Sequence, residues 1–284
     1  MPPISFKFSL RPGDLINALA GVRAVCEKQH SKAIIYLGLD IQWQTVPELQ
    51  LGREEPVTMT RATMEFLRPL LLEQRYIQDV RSLEEDFPEM YNEWIEVVSN
   101  PHPEVLNEWY QSHKMVDLDR HHLMPIGLPA GNLFRSNFYI YPDMACDLSK
   151  PWIEVPPVLT FRRPLIVNRT PRVRNTLTYD FLQRYKDLMF VGLAPEYDQF
   201  MRETGLDIQW AQTKNAYDLA RVIRAGRGFV GNQSLAFSLA EAMKVPRVLE
   251  ICPWLPNVIP AGEHGYDCYF QHAFEYYCDL VDKL

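Results

Sequence analysis

Between residues 228 and 250 the chain reads Gly228-Phe-Val-Gly-Asn-Gln-Ser-Leu-Ala-Phe-Ser-Leu-Ala-Glu-Ala-Met-Lys-Val-Pro-Arg-Val-Leu-Glu250. This pattern predicts a buried strand, a small polar turn, an amphipathic helix and a second strand. Gly231 ends the first strand without a side chain, so a ligand can approach the backbone there. Asn232, Gln233 and Ser234 open the helix, whose free amides and dipole attract a phosphate or diphosphate. The same residues are also ordinary helix caps, so a βαβ unit without a ligand is an equal alternative.

The start of the chain repeats this order of elements. Residues 5–10 alternate like a strand, residues 11–14 predict a turn, and residues 15–29 predict a helix with an apolar stripe. Asp14 lies at or beside the N-cap, where the helix dipole stabilises its carboxylate. That carboxylate either caps the helix or accepts a proton.

Both segments resemble motifs of the heptosyltransferase-like glycosyltransferases, glycosyltransferase family 9. Pro12-Gly-Asp-Leu-Ile-Asn-Ala-Leu-Ala-Gly-Val-Arg-Ala-Val25 resembles the N-terminal Gly-Asp motif, and residues 228–243 resemble the C-terminal nucleotide-sugar motif. The resemblance covers roughly residues 5–39 and 164–252. It implies a GT-B-like α/β fold, with two Rossmann-like domains facing across a cleft. It also implies inverting transfer with Asp14 as the catalytic base.

The chain departs from the C-terminal motif of that family, which usually runs Gly-Asn-Asp-Ser-Gly with a His four residues after the Ser. Gln233 stands for the Asp, Leu235 for the Gly and Ser238 for the His. These departures keep open the alternative of a sugar-nucleotide-binding protein that catalyses nothing.

The second half of the chain has the clearer organisation. Strand-like segments at residues 165–168, 188–191, 208–211, 228–230 and 248–251 alternate with helical segments at residues 179–185, 197–204, 217–225 and 234–243. This alternation predicts a parallel sheet that binds ligands at the carboxyl ends of its strands. The first half predicts a strand at residues 32–39, then helices at residues 60–74, 84–98 and 103–113.

A proline-rich segment at residues 148–164 predicts the linker between two domains. We therefore expect an acceptor-side Rossmann-like domain at residues 1–155 and a nucleotide-sugar-binding Rossmann-like domain at residues 156–270. The C-terminal helix, residues 271–284, is expected to pack back on the first domain.

Basic residues follow the first strand of the second domain. Asn168, Arg169 and Arg172 emerge at the carboxyl edge of the sheet, where guanidinium groups suit phosphate oxygens. The alternatives are a solvated basic loop and a contact with nucleic acid. Glu241 and Glu250 are candidates for binding ribose or sugar hydroxyls, although Glu241 is equally a solvated helix residue. The predicted donor site comprises Gly13, Asn168, Arg169, Arg172, Gly231, Asn232, Gln233, Ser234, Glu241 and Glu250.

Composition restricts the class of protein. The 284 residues carry a net charge of −7, which disfavours indiscriminate binding to nucleic acid. Residues 1–10 show no leader pattern, and no apolar run is long enough to span a membrane. The five cysteines form no CxxC pair, which favours free thiols. We therefore expect a cytoplasmic protein.

Two short motifs are compatible with a metal ion. Asp117-Leu-Asp119 matches the DxD sequence that binds metal in the other major glycosyltransferase fold. The imidazoles of His121-His122 are of a type that binds metal, but no convincing set of further ligands accompanies them. Such three-residue matches are frequent by chance, and the βα alternation favours the metal-independent fold. We expect neither a metal nor a cofactor besides the donor substrate.

Three functions follow as hypotheses. The first is a glycosyltransferase that moves a sugar from a nucleotide-diphosphate sugar to a hydroxyl of a glycan, a lipid-linked acceptor or a small molecule. The second is a glycosyltransferase that modifies a hydroxylated base in DNA. This hypothesis is based on the Arg-rich segment. The third is the non-catalytic binding protein.

Overall fold

A computed structural model describes residues 1–42, 59–99, 103–120, 132–158 and 163–284. His121-His122 and part of the predicted linker, residues 159–162, lie outside the described residues. The chain forms two parallel sheets with helices packed around them. No helix within the described ranges is long and apolar enough to cross a membrane.

The first sheet has four strands in the order β3-β2-β1-β4. Its strands are β1 (Ile4–Phe8), β2 (Ala33–Leu37), β3 (Ile77–Ser82) and β4 (Val116–Asp117). The helices of this half are α1 (Pro12–Lys28), α2 (Arg61–Glu73), α3 (Leu83–Asp86), α4 (Pro88–Ser99), α5 (Pro103–Ser112) and α6 (Ser136–Ile140).

The second sheet has six strands in the order β10-β9-β8-β5-β6-β7. Its strands are β5 (Leu165–Asn168), β6 (Leu188–Val191), β7 (Gln209–Ala211), β8 (Gly228–Asn232), β9 (Arg247–Glu250) and β10 (Gly265–Cys268). Its helices are α7 (Ala194–Thr204), α8 (Ala216–Ala225), α9 (Leu235–Ala242) and α10 (Gln271–Asp282).

Several elements differ from the sequence-based expectation. Helix α1 begins at Pro12, three residues earlier than predicted, because the ring of a first-turn proline already has a helical φ. The predicted helix at residues 84–98 is two helices, and Pro88 begins the second. The predicted helix at residues 179–185 is a 3₁₀ turn, Asp180–Arg184. The strands β3, β4 and β10 were not predicted.

The C-terminal helix corrects another expectation. Phe274, Cys278 and Val281 on α10 are buried against apolar residues of the second sheet, such as Val230. Strand β8 begins with Gly228, and there is no room for a side chain at this position. A Cβ on Gly228 would lie 2.0 Å from Cγ1 of Val281 on α10. The helix therefore packs on the second sheet rather than on the first domain.

The predicted linker is partly buried between the two halves. Trp152 donates a hydrogen bond from Nε1 to the carbonyl of Ile16 on α1, at 2.8 Å, and its backbone N–H donates to Ala242 on α9, at 2.9 Å. One apolar cluster includes Phe6 of the first sheet and Phe229 of the second. The boundary near residue 155 therefore stays a prediction.

Candidate functional site

Two helices begin at the same place, one from each half of the molecule. A Cβ on Gly13 would lie 3.7 Å from the backbone N of Leu235 and 3.2 Å from Oγ of Ser238. The first turns of α1 and α9 are therefore in contact. Because each helix follows the carboxyl end of a strand, β1 or β8, both dipoles direct their positive ends to this point. Asp14, half-buried, lies in the first turn of α1.

The cap of α9 is built from predicted site residues. Oγ of Ser234 accepts a hydrogen bond from the N–H of Phe237 at 3.2 Å and donates to Oδ1 of Asn168 at 2.7 Å. Asn168 in turn donates from Nδ2 to the carbonyl of Val191 at 2.7 Å. These side chains hold the helix start in place. Besides the N–H of Phe237, which Ser234 caps, the first-turn amides of Leu235 and Ala236 have no acceptor within the helix and are the groups suited to an anion.

Asn232 holds the basic segment against the sheet. Its Oδ1 accepts from the N–H of Thr170 at 2.9 Å, and its Nδ2 donates to the carbonyl of Arg172 at 2.8 Å. Asn232 is fully buried, whereas Arg172 is exposed. Asn232 thus fixes the backbone from which the Arg172 side chain extends.

Gly231 has a structural explanation that differs from the expected one. A Cβ at this position would lie 2.3 Å from the backbone oxygen of Asn168 on the neighbouring strand β5. Glycine is therefore required by the packing of two strands. The sequence had suggested close approach of a ligand.

Gln233 binds the loop that follows β9. Its Oε1 accepts from the N–H of Cys252 at 3.2 Å, and its Nε2 donates to the carbonyl of Leu255 at 3.1 Å and to Oδ1 of Asn257 at 2.9 Å. The side chain that stands in place of the Asp of the resembled motif is thus used within the fold.

Arg169 and Glu250 form a buried ion pair. Nε and Nη2 of Arg169 each lie 3.1 Å from a carboxylate oxygen of Glu250. The carboxylate also accepts from the N–H of Asn175 at 2.7 Å and from the hydroxyl of Tyr179 at 2.8 Å. Burial, together with the Glu250 carboxylate, raises the pKa of Tyr179 well above its usual range. The Arg169 guanidinium also binds Glu203 and the carbonyls of Asn175 and Leu177.

Glu241 is fully buried, so it is not a solvated helix residue. Its carboxylate binds Lys244 and Arg247 and accepts from the N–H of Ala261 at 3.0 Å. Burial lowers the pKa of Lys244 to about 8, against the opposing effect of Glu241. Glu241 lies seven residues after Ser234, roughly 10 Å along the axis from the start of α9. The structure therefore separates it from the other predicted donor residues.

The two aspartates of the DxD sequence bind a lysine. Nζ of Lys7 lies 2.8 Å from Oδ1 of Asp117, 3.0 Å from Oδ2 of Asp119 and 3.0 Å from the centre of the Trp94 ring. Lys7 and both aspartates are fully buried, and Ser9 donates to Asp119 from its N–H and its hydroxyl. Burial raises the pKa of Asp117 to about 6, although Lys7 opposes the shift. Among the described residues no three His, Cys, Asp or Glu side chains are grouped to hold a metal.

Sequence reasoning missed two features of the fold, a buried lysine and the loop that Gln233 binds. Lys7 reads as an outward-facing residue of an alternating strand, and its two carboxylate partners lie more than 100 residues away. The loop at residues 252–259 carries Pro253 and Pro256 around an exposed Trp254, and Pro260 follows it directly. This proline-bounded turn after a buried strand was the available signal.

Solved structures share this fold. A glycosyl transferase of family 9 from Veillonella parvula DSM 2008 matches with a TM-score of 0.61 and 12% identity, over 99% of this chain and 97% of that one. The E. coli ADP-heptose lipopolysaccharide heptosyltransferase II matches with a TM-score of 0.60 and 10% identity, over 99% of both chains. An E. coli heptosyltransferase with bound ADP-2-deoxy-2-fluoro heptose matches with a TM-score of 0.51 and 11% identity, over 99% of both chains.

The sequence itself matches no protein-family model and no curated protein. At such low identities the structural likeness shows the fold alone. It confirms the predicted α/β architecture of two Rossmann-like halves. The chain therefore has the fold of the family 9 glycosyltransferases.

Proposed function

We propose that the protein is a glycosyltransferase that uses a nucleotide-diphosphate sugar as its donor. The observation that carries the proposal is the contact between the first turns of α1 and α9, with Asp14 beside it. Two helix N-termini at one point favour an anion with two phosphates, and a carboxylate next to them can serve as a base.

The leaving diphosphate would lie at the start of α9, with the Arg172 side chain at its rim. Arg169 then acts as a positioning residue, since its guanidinium is already used by Glu250. The surrounding backbone is held in place by the hydrogen bonds of four further positioning residues, Asn168, Asn232, Ser234 and Glu250. Charge that develops on the diphosphate is stabilised by the helix amides, which need no reorganisation during the reaction.

Transfer would proceed by inversion. The acceptor oxygen attacks the anomeric carbon while the bond from that carbon to the diphosphate oxygen breaks. Asp14 takes the acceptor proton, a contribution typically worth ~10²–10⁴-fold in rate. Because helix amides and Arg172 supply the positive field, we expect the reaction to proceed without a divalent metal and to survive EDTA.

The acceptor is proposed to be a hydroxyl of a glycan, a lipid-linked sugar or a small molecule. One structural neighbour is named for action on lipopolysaccharide. None of the three structures compared above is named for action on nucleic acid, so that hypothesis is not proposed. All five cysteines are free thiols, which supports action in the cytoplasm.

Calorimetric titration of the purified protein with ADP, GDP and UDP tests the donor site. Arg172→Ala should weaken binding of the preferred nucleoside diphosphate by about tenfold, the loss of one charge-assisted contact. Arg174→Ala is the matched control, because it removes a nearby arginine whose side chain pairs with Glu203 at 3.0 Å. Equal affinity in Arg172→Ala and wild type would remove the basic segment from the site. Failure of the wild type to bind any of the three would contradict the proposed function.

A further inference from the structure

The loop at residues 252–259, here called the bridging loop, is bonded to both halves of the molecule. From the second half, Gln233 binds it at Cys252, Leu255 and Asn257. From the first half, Leu133 donates its N–H to the carbonyl of Asn257 at 2.7 Å. The loop therefore has a defined position at the boundary of the two domains.

Asn132 adds a second attachment from the first half. Its Nδ2 donates to the carbonyl of Ile259 at 3.1 Å, and its Oδ1 accepts from the N–H of Ile259 at 3.4 Å. The bridging loop is thus bonded at its start, its middle and its end. Segments with so many bonds are costly to move, so side chains on the loop are presented in a fixed place.

Trp254 lies between Cys252 and Leu255, two of the three residues at which Gln233 holds the loop, and 78% of its surface is exposed. Gln233 directly precedes Ser234, the cap of α9. Since consecutive Cα atoms are ~3.8 Å apart, Trp254 is within roughly 8 Å of an anchored loop residue. A large indole that is held at the domain boundary yet left uncovered has a face available for a ligand.

We propose that Trp254 is a stacking platform for a pyranose ring of the acceptor, so that the acceptor of the proposed reaction is a carbohydrate. The C–H groups on one face of a pyranose form an apolar surface, which packs on the electron-rich face of an indole. This inference rests on the proposed function. It names the acceptor class and assigns a specificity residue outside the diphosphate site.

The attachment of the bridging loop favours the acceptor over the nucleobase. The anomeric carbon must face Asp14, which belongs to the first half. A loop bonded to Asn132 and Leu133 lies toward that half. The nucleoside must extend from the diphosphate in the other direction, over the second sheet. Trp254 is therefore on the side where the acceptor approaches.

The test uses the full-length protein with ADP present and a printed array of pyranose oligosaccharides. The best-binding glycan is then titrated by interferometry. Trp254→Ala should weaken glycan binding at least about tenfold, as loss of a central tryptophan contact does. Trp254→Phe, which keeps an aromatic face, should recover most of the affinity. Asn132→Ala should weaken binding in the same direction by loosening the loop.

Tyr276→Ala is the matched control, since it removes an exposed aromatic of α10 and should leave glycan binding unchanged. ADP affinity, measured by calorimetry, should be the same in all four variants. The proposal is overturned if wild type binds no glycan, if Trp254→Ala keeps its glycan affinity, or if that variant loses ADP affinity. Each of these results leaves the proposed function standing as long as wild type binds ADP or another nucleoside diphosphate.

Discussion

Asp14 is the residue on which the enzymatic proposal depends. It lies in the first turn of α1, where a carboxylate is stabilised by the helix dipole whether or not it reacts. Chemistry and helix stability are therefore combined at one side chain, and a substitution can separate them.

Asp14→Asn keeps the shape of the side chain and removes its capacity to accept a proton. Turnover should fall by about 10²–10⁴-fold, because general-base help is lost. Donor affinity should stay close to wild type, and stability should change by at most a fraction of ~0.5–2 kcal/mol. Transfer or slow donor hydrolysis is the measurement, with binding and melting checked on the same samples. Near-normal turnover would contradict the role of Asp14 as general base and leave it as a residue that only stabilises the start of α1.

Asp117 provides a pH-dependent prediction. Burial raises its pKa in the folded protein to about 6, from 3.8 in the unfolded chain. The folded state then binds the proton more tightly, so the contribution of Asp117 to stability is greatest at low pH. It decreases as pH rises from about 4 to about 6. Asp117→Asn lacks this titration.

The free energy of unfolding of Asp117→Asn should therefore rise relative to that of wild type between pH 4 and pH 6. Above pH 6 the difference between the two proteins should stay constant. Urea unfolding at several pH values measures both proteins under the same conditions. A difference that does not vary with pH would show that the pKa of Asp117 is not raised in the folded state.

At the scale of elements, the packing of α10 and the position of α9 both depend on strand β8. Strand β8 supplies the turn before α9, and α10 covers the start of the same strand. The close approach of α10 requires glycine at position 228. Packing of the C-terminal helix and geometry of the candidate site are therefore built on one strand.

Gly228→Ala should destabilise the protein by about 1–3 kcal/mol, because the new methyl group overlaps Val281 and α10 must shift. Adding Val281→Ala makes room for that methyl group. The double variant should therefore lose less stability than the sum of the two single variants, in a urea unfolding cycle. Strict additivity would mean that α10 does not press on β8 as the structure has it.

At the scale of the whole molecule, the two halves share an apolar core that continues through α1, α9 and Trp152. Two-domain proteins often unfold in separate steps. A shared core makes each half dependent on the other. We expect wild type to unfold in one transition, with circular dichroism and tryptophan fluorescence changing together.

Trp152→Ala should lower the free energy of unfolding by about 3–5 kcal/mol, since a buried indole is lost between α1 and α9. Trp152→Phe keeps most of the packing and loses the hydrogen bond to Ile16, so its cost should be smaller. Denaturant unfolding of the three proteins measures these differences. Two separate transitions in wild type would contradict a shared core.

The sequence alone determined the βα order of the second half as far as β9, and the presence of a helix at the Gly-Asp pair. These features depend on local periodicity and on caps, which are visible within a dozen residues. Strands such as β3 were missed because their apolar pattern is weak and their pairing is with distant residues.

Tertiary structure decided what each polar side chain does. Arg169 binds Glu250, 81 residues away, and Lys7 binds Asp119, 112 residues away. Glu241 binds Arg247 instead of facing a ligand. Parallel strands bring such residues together across the sheet edge, and burial then forces each charge to find a partner. No local pattern in the sequence encodes which partner that will be.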